Sequence, residues 1–183
     1  FTPTEAAALA QLTAKQVRKE LDNPALKLRI RRRPRLPFSA LVYLQTMRLS
    51  GLSLVVADRV RLYWLISDGL AKTPAPERVE FASVLSLRLG WIASEMASRL
   101  ARFEAWKSTL ISDPSIMASE TVFPQSRLTV RHVGELLDQG ESPSVLLEDY
   151  PELSPQDLEF SPLFVKAYPR VGRPRVRDQA PDR

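Results

Sequence analysis

The sequence predicts a mainly α-helical chain with short β-hairpins, and three observations carry that expectation. Apolar residues recur at three- and four-residue spacing over most of the chain, as at Val130, Val133, Leu136 and Leu137, which is the period of one helix face. Helix starts are marked by Thr13, Ser142 and Ser154, the last two followed by proline, and a helix stop by Gly140. Strict alternation is confined to short stretches, such as Leu26, Leu28 and Ile30 interleaved with Lys27, Arg29 and Arg31, and that is strand periodicity.

Taken in order, residues 1–7 open a short helix, with Thr2 or Thr4 as its cap and Glu5 in its first turn. Thr13 starts a second helix that reaches Leu21, with Val17 and Leu21 inward and Lys15, Gln16, Arg18 and Lys19 outward. Two short helices joined by a tight turn, the second exposing basic residues, follow the plan in which the second helix enters a DNA major groove. The same pattern also describes an amphipathic pair with a solvated basic face. The next segment tips the balance toward nucleic acid. Residues 26–36 form a strand with one apolar and one cationic face, and Arg29, Arg31, Arg32 and Arg33 lead into a bend at Pro34. Such a wing suits a phosphate backbone or a minor groove, although a charged edge strand that resists aggregation has the same composition. The N-terminal segment resembles the winged helix of the MerR and excisionase type. Its candidate DNA-binding residues are Lys15, Gln16, Arg18, Lys19, Arg29, Arg31, Arg32 and Arg33.

Residues 39–49 and 55–67 are helical, the second with Val60, Trp64 and Ser67 on one side and Gly69 as its stop. Lys72, Thr73, Pro74, Ala75 and Pro76 mark a linker. Residues 79–81 and 85–89 alternate as strands, and residues 91–110 place Trp91, Glu95, Met96, Arg99, Leu100, Phe103 and Trp106 at helical spacing. This long helix offers apolar positions for homodimerisation, and a dyad suits a palindromic DNA site. Val122-Phe123 and Leu128-Thr129-Val130 then read as a hairpin around Pro124, Gln125, Ser126 and Arg127. A helix from Val130 ends near Gln139, a second opens at Ser142 with Val145, Leu146 and Tyr150 inward, and a third starts at Ser154 and ends at Tyr168. Residues 169–177 hold two prolines, a glycine and four arginines, so the chain ends in an extended tail. The units are therefore 1–72, a winged-helix domain; 73–110, strands and a connecting long helix; 111–168, a β-hairpin with a three-helix helix-turn-helix module; and 169–183, the basic tail.

Three stretches carry a more specific resemblance. Asp113-Pro114-Ser115-Ile116, the run Ser126-Arg127-Leu128-Thr129-Val130 and the run from Leu136 through Gly140, Ser142-Pro143 and Glu148-Asp149-Tyr150-Pro151 to Ser154 resemble the small helix-turn-helix domain of VapB-type bacterial antitoxins. Residues 140–157 are the most specific part. The family's Gly-x-Pro and Gly-Thr-Arg steps around the hairpin are here Ser119-Glu120-Thr121 and Gln125-Ser126-Arg127, with only the arginine kept. The resemblance implies a non-catalytic antitoxin that binds operator DNA and a PIN-domain ribonuclease toxin. It also implies that Arg170, Arg173 and Arg175, around a Gly-Arg-Pro step found in a subgroup of these antitoxins, lie over the toxin. The alternative is a winged-helix transcriptional regulator or recombination accessory protein without a toxin partner, its tail serving as a minor-groove hook.

Composition sets the outer bounds. The 183 residues are 44% hydrophobic, contain no cysteine and carry a net charge of +5. This fits a globular protein of a reducing cytoplasm, with no thiolate metal site. Charge is unevenly placed. Residues 1–40 hold nine Lys or Arg against three Asp or Glu, whereas residues 110–160 hold two against ten. A polyanion is therefore attracted by the N-terminal part and repelled by the acidic module. The apolar stretches at residues 54–57 and 62–66 are interrupted by Asp58, Arg59 and Arg61 and fall well short of the roughly 20 residues of a membrane span. No phosphate loop, paired-histidine metal motif or nucleophile elbow occurs. His132 is the only histidine, and Glu148, Asp149, Glu152 and Asp157 lack the spacing of a calcium loop. Neither an enzyme nor a cofactor is expected.

Overall fold

The computed structural model describes residues 1–22, 35–83, 85–112, 120–124 and 126–170. The elements are α1 (Pro3–Leu9), α2 (Ala14–Leu21), α3 (Phe38–Ser50), α4 (Val56–Ala71), β1 (Val79–Phe81), β2 (Leu85–Leu87), α5 (Leu89–Lys107), β3 (Ile111–Ser112), β4 (Thr121–Val122), α6 (Val130–Asp138), α7 (Pro143–Asp149) and α8 (Pro155–Ala167). Among the described residues the chain is thus mainly helical with two short antiparallel hairpins, β1 with β2 and β3 with β4.

Local chemistry explains several helix boundaries. Thr2 Oγ1 accepts from Glu5 N while Glu5 Oε2 accepts from Thr2 N, and the pairs Thr13–Gln16 and Ser154–Asp157 repeat this reciprocal cap. Each such box satisfies donors that the first helical turn leaves unpaired. Two helices end alike. At the end of α1, Leu12 N donates to Ala7 O and Gln11 N to Ala8 O, and at the end of α6, Glu141 N donates to Leu136 O and Gly140 N to Leu137 O. The residue at the turn is left-handed in both, Gln11 at φ 54° and Gly140 at φ 96°. Glycine takes that conformation freely, whereas Gln11 bears the strain of its Cβ.

The hub of the packing is α8, which touches α1, α5, α6 and α7. The small side chains of Ala6, Ala7 and Ala8, all buried, keep the α1 surface flat where it approaches α8. The α6 crossing is tighter still, because a Cβ on Gly134 would lie 2.7 Å from the backbone oxygen of Ser161 and 2.6 Å from Val165 Cγ2. Pro162 sits inside α8 and lacks an N–H, so Leu158 O loses its helical donor there. Phe103 and Trp106 from α5 meet Phe160 with ring centroids 5.6–5.7 Å apart. Such aromatic contacts contribute ~0.5–1.5 kcal/mol each beyond the area they bury. On the other side α3 packs on α4 and α5, with Leu41, Tyr43, Leu62 and Ile66 buried. One apolar core runs through both regions.

Several expectations need correction. Gly69 does not stop its helix. It is buried within α4, which continues to Ala71, and the missing side chain makes room for Leu89. The hairpin expected between residues 122–123 and 128–130 is reduced to a bridge between Val122 and Thr129 and a hydrogen bond from Phe123 N to Leu128 O. The regular ladder instead joins Thr121–Val122 to Ile111–Ser112. Thr129 is taken up as the cap of α6, accepting from His132 N, so the chain turns helical where a second strand would begin. Met96, Phe103 and Trp106 of α5 are buried against this chain's own core, and Trp91 is the large apolar residue of that helix left exposed. The alternating strand of residues 26–34 lies outside the described residues.

Candidate nucleic-acid interface

Helix α2 is fixed to the body on one side only. Val17 is fully buried. One turn on, Glu20 accepts from Tyr43 Oη at 2.9 Å and from Arg59 Nη1 at 2.6 Å, and Arg59 Nε donates to Leu54 O at 2.8 Å. These bonds tie α2 to α3 and to the start of α4. Burial, reinforced by the Glu20 carboxylate, pushes the Tyr43 phenol well above its usual range, so it remains a donor.

Pinned in this way, α2 turns Lys15, Gln16, Arg18 and Lys19 to solvent. The three cations are exposed and make no ion pair among the described residues. Gln16 is partly committed, because its Oε1 accepts from Thr13 N and from Thr13 Oγ1, both at 2.8 Å, leaving its NH2 group for other partners. After residue 34 the chain returns beside α1, where Leu36 N donates to Phe1 O and Phe1 N to Leu36 O. Arg35 is largely exposed there, 3.7 Å from Glu5. Burial works against the Glu5 charge, but the Thr2 N–H and the Tyr168 hydroxyl hold its pKa below the ordinary value. Arg29, Arg31, Arg32 and Arg33 fall outside the described residues.

At the other end, Arg170 is exposed and pairs with Glu120 at 2.8 Å. Arg131 anchors the same place, with Nη2 donating to Tyr168 O at 2.7 Å and a buried Nε 3.7 Å from Glu120. Arg173 and Arg175 lie outside the described residues. Glu148, Asp149 and Glu152 are exposed, and His132 is exposed at the start of α6. No group of three or more His, Asp or Glu among the described residues could hold a metal ion. No described helix is long and apolar enough to cross a membrane.

Sequence reasoning missed a second feature. Arg99 on α5 lies half-buried in a cleft of about 450 Å³ between the α1–α2 turn and α8, whose lining includes Gln11, Gln16, Glu159, Leu163 and Lys166. Burial depresses the Arg99 pKa, Glu159 opposes that shift, and the nearby charges of Arg48 and Arg102 add to it. Arg99 was visible in the sequence only as one more position on a helical stripe. Its convergence with residues from α1, α2 and α8 is a tertiary fact.

Comparison with known proteins locates one stretch. Residues 111–164 match the family described as Protein of unknown function (DUF433). The match runs from the first residue of β3 to Phe164 in α8 and so takes in α6 and α7 entire. No curated protein and no solved structure matches the chain.

Proposed function

We propose that this protein is the antitoxin of a type II toxin–antitoxin system, a cytoplasmic, non-catalytic homodimer that binds operator DNA through its N-terminal part and neutralises a PIN-type ribonuclease through its C-terminal part. The observation that carries the DNA half is the one-sided docking of α2: Val17 and Glu20 hold the helix, and Lys15, Arg18 and Lys19 face solvent together. A capped helix that follows a tight turn and presents a basic outer face is shaped for a major groove. Its cations then neutralise phosphates and release counterions. Gln16 is placed to reach a base edge with its free NH2 group. The acidic α6–α7 surface is kept off the polyanion by its own charge.

The toxin half is supported by the resemblance of residues 113–158 to VapB-type antitoxins. In this reading Arg170, Arg173 and Arg175 form a cationic arm suited to the carboxylates of a metal-dependent ribonuclease, since guanidinium pairs with carboxylate bidentately.

The test is paired: fluorescence anisotropy on the DNA upstream of the gene at several salt concentrations, and RNA cleavage by the ribonuclease encoded beside it. Salt-dependent operator binding together with inhibited cleavage is expected. Truncation after Tyr168 should leave operator affinity within a few-fold and relieve the inhibition. Operator binding with no effect on any neighbouring ribonuclease would favour a plain transcriptional regulator, and absence of DNA binding at low salt would overturn the reading altogether.

A further inference from the structure

We propose that the cleft around Arg99 is a binding site for a small organic anion, one whose oxyanion group meets Arg99 and Lys166 and whose apolar body lies on Leu12 and Leu163. A half-buried guanidinium normally has a carboxylate beside it, because an unpaired charge away from water is costly. Among the described residues Arg99 has neither an ion pair nor a side-chain hydrogen bond, and Glu159, the acid that shares its cleft, is paired with Arg102. Arg48 and Arg102 act on Arg99 from outside the lining, and within it Arg99 and Lys166 stand against the one acid, Glu159, which Arg102 already engages. A cationic cleft with low-dielectric sides concentrates anions, and the planar fork of Arg99 suits a carboxylate or a phosphate ester.

Two further observations support a ligand rather than a solvent-filled crease. The volume of about 450 Å³ falls within the roughly 300–1,000 Å³ typical of small-molecule pockets. At the rim, Gln11 keeps a strained left-handed backbone at φ 54° where glycine would be relaxed, and its side chain lines the cleft. The bonds that end α1 fix that conformation, so Gln11 is held in place at the cleft. Gln16, also in the lining, belongs to α2. An occupant therefore touches the helix that the proposed function assigns to DNA. That coupling rests on the functional reading, but the existence of the site does not.

The probe is anilinonaphthalene sulfonate, an oxyanion on an apolar body, titrated by fluorescence into the full chain. Saturable binding is expected, weakened at least tenfold by Arg99→Gln and several-fold by Lys166→Ala. Val56→Ser, on the exposed apolar surface elsewhere, serves as the control and should bind like the wild type. Should Arg99→Gln fail to fold, Lys166→Ala decides alone, since Lys166 is exposed and, among the described residues, bonded only to Asp138. Benzoate and phenyl phosphate should both displace the probe, the stronger competitor identifying the source of the oxyanion, and inorganic phosphate should compete far less. Unchanged affinity in both cleft variants, loss of binding in Val56→Ser, or equal competition by inorganic phosphate overturns the site. Probe binding without any DNA binding would overturn the functional reading and leave the site standing. With both intact, benzoate should shift operator affinity several-fold.

Discussion

Trp106 donates its indole N–H to Asp157 Oδ1 at 2.7 Å, while the other oxygen of the same carboxylate accepts from Ser154 N at 2.8 Å. One side chain thus closes the cap of α8 and anchors α5 to it. Asp157→Ala leaves Ser154 Oγ capping the helix but should remove the reciprocal bond from Ser154 N, worth ~0.5–1.5 kcal/mol, and strand a largely buried indole donor at a further ~1–3 kcal/mol. Urea denaturation measures the sum, and a loss below about 0.5 kcal/mol, the scatter of ordinary surface changes, would show that the bond contributes nothing.

A second prediction concerns pH. The Tyr43 phenol is raised above its ordinary value of 10.0 by burial and by Glu20. The unfolded chain therefore releases this proton before the folded chain does. Stability from this group is complete below that value and is lost as pH rises toward the folded pKa. Thermal melts between neutrality and strongly alkaline pH should show a decline that is shallower in Tyr43→Phe than in the wild type. Parallel declines would mean that the phenol does not report on the α2 anchor.

A glycine gained at a helix end and a glycine lost at a helix crossing give opposite expectations. Gln11→Gly relieves a left-handed Cβ and should stabilise the fold by up to ~1 kcal/mol. Gly134→Ala, by contrast, places a methyl group against the backbone of Ser161 and should destabilise by ~1–3 kcal/mol. Calorimetry on the two variants compares them directly, and an unaltered Tm for Gly134→Ala would mean that α6 and α8 can separate at no cost.

The basic face should act on DNA without acting on stability. Replacing Lys15, Arg18 and Lys19 together by alanine should leave the Tm unchanged, because all three are exposed. It should flatten the slope of log affinity against log salt by roughly 0.9 for each phosphate that is no longer neutralised. Replacing Arg29, Arg31 and Arg33 should flatten it similarly. Slopes identical to the wild type in both variants would remove the N-terminal part from any DNA interface.

Several helix starts were legible because capping is local. Thr2, Thr13 and Ser154 lie three residues from the acids or amide that complete their boxes, and Gly140 marks its own turn. The strand partner of Val122 was not, because Ile111 competes for it from farther away and Thr129 has a second use as a helix cap. Gly69 misled for a related reason, since a glycine that admits Leu89 looks the same in sequence as one that ends a helix. The Glu20–Tyr43–Arg59 anchor and the cleft at Arg99 unite residues from three or more helices, and no periodicity within one helix announces such a meeting.

The packing of α1 on α8 sets an order of assembly. These are the first and last described helices of the chain, and contacts of such wide sequence separation form slowly and late. During synthesis α3, α4 and α5 can pair as they emerge, but α1, which also touches α2 and α5, lacks its main seat until α8 has been made. The Glu20 bonds to Tyr43 and Arg59 can hold α2 and its basic face as soon as α3 and α4 have formed, whereas the turn that leads into α2 from α1 is completed only with α8 in place.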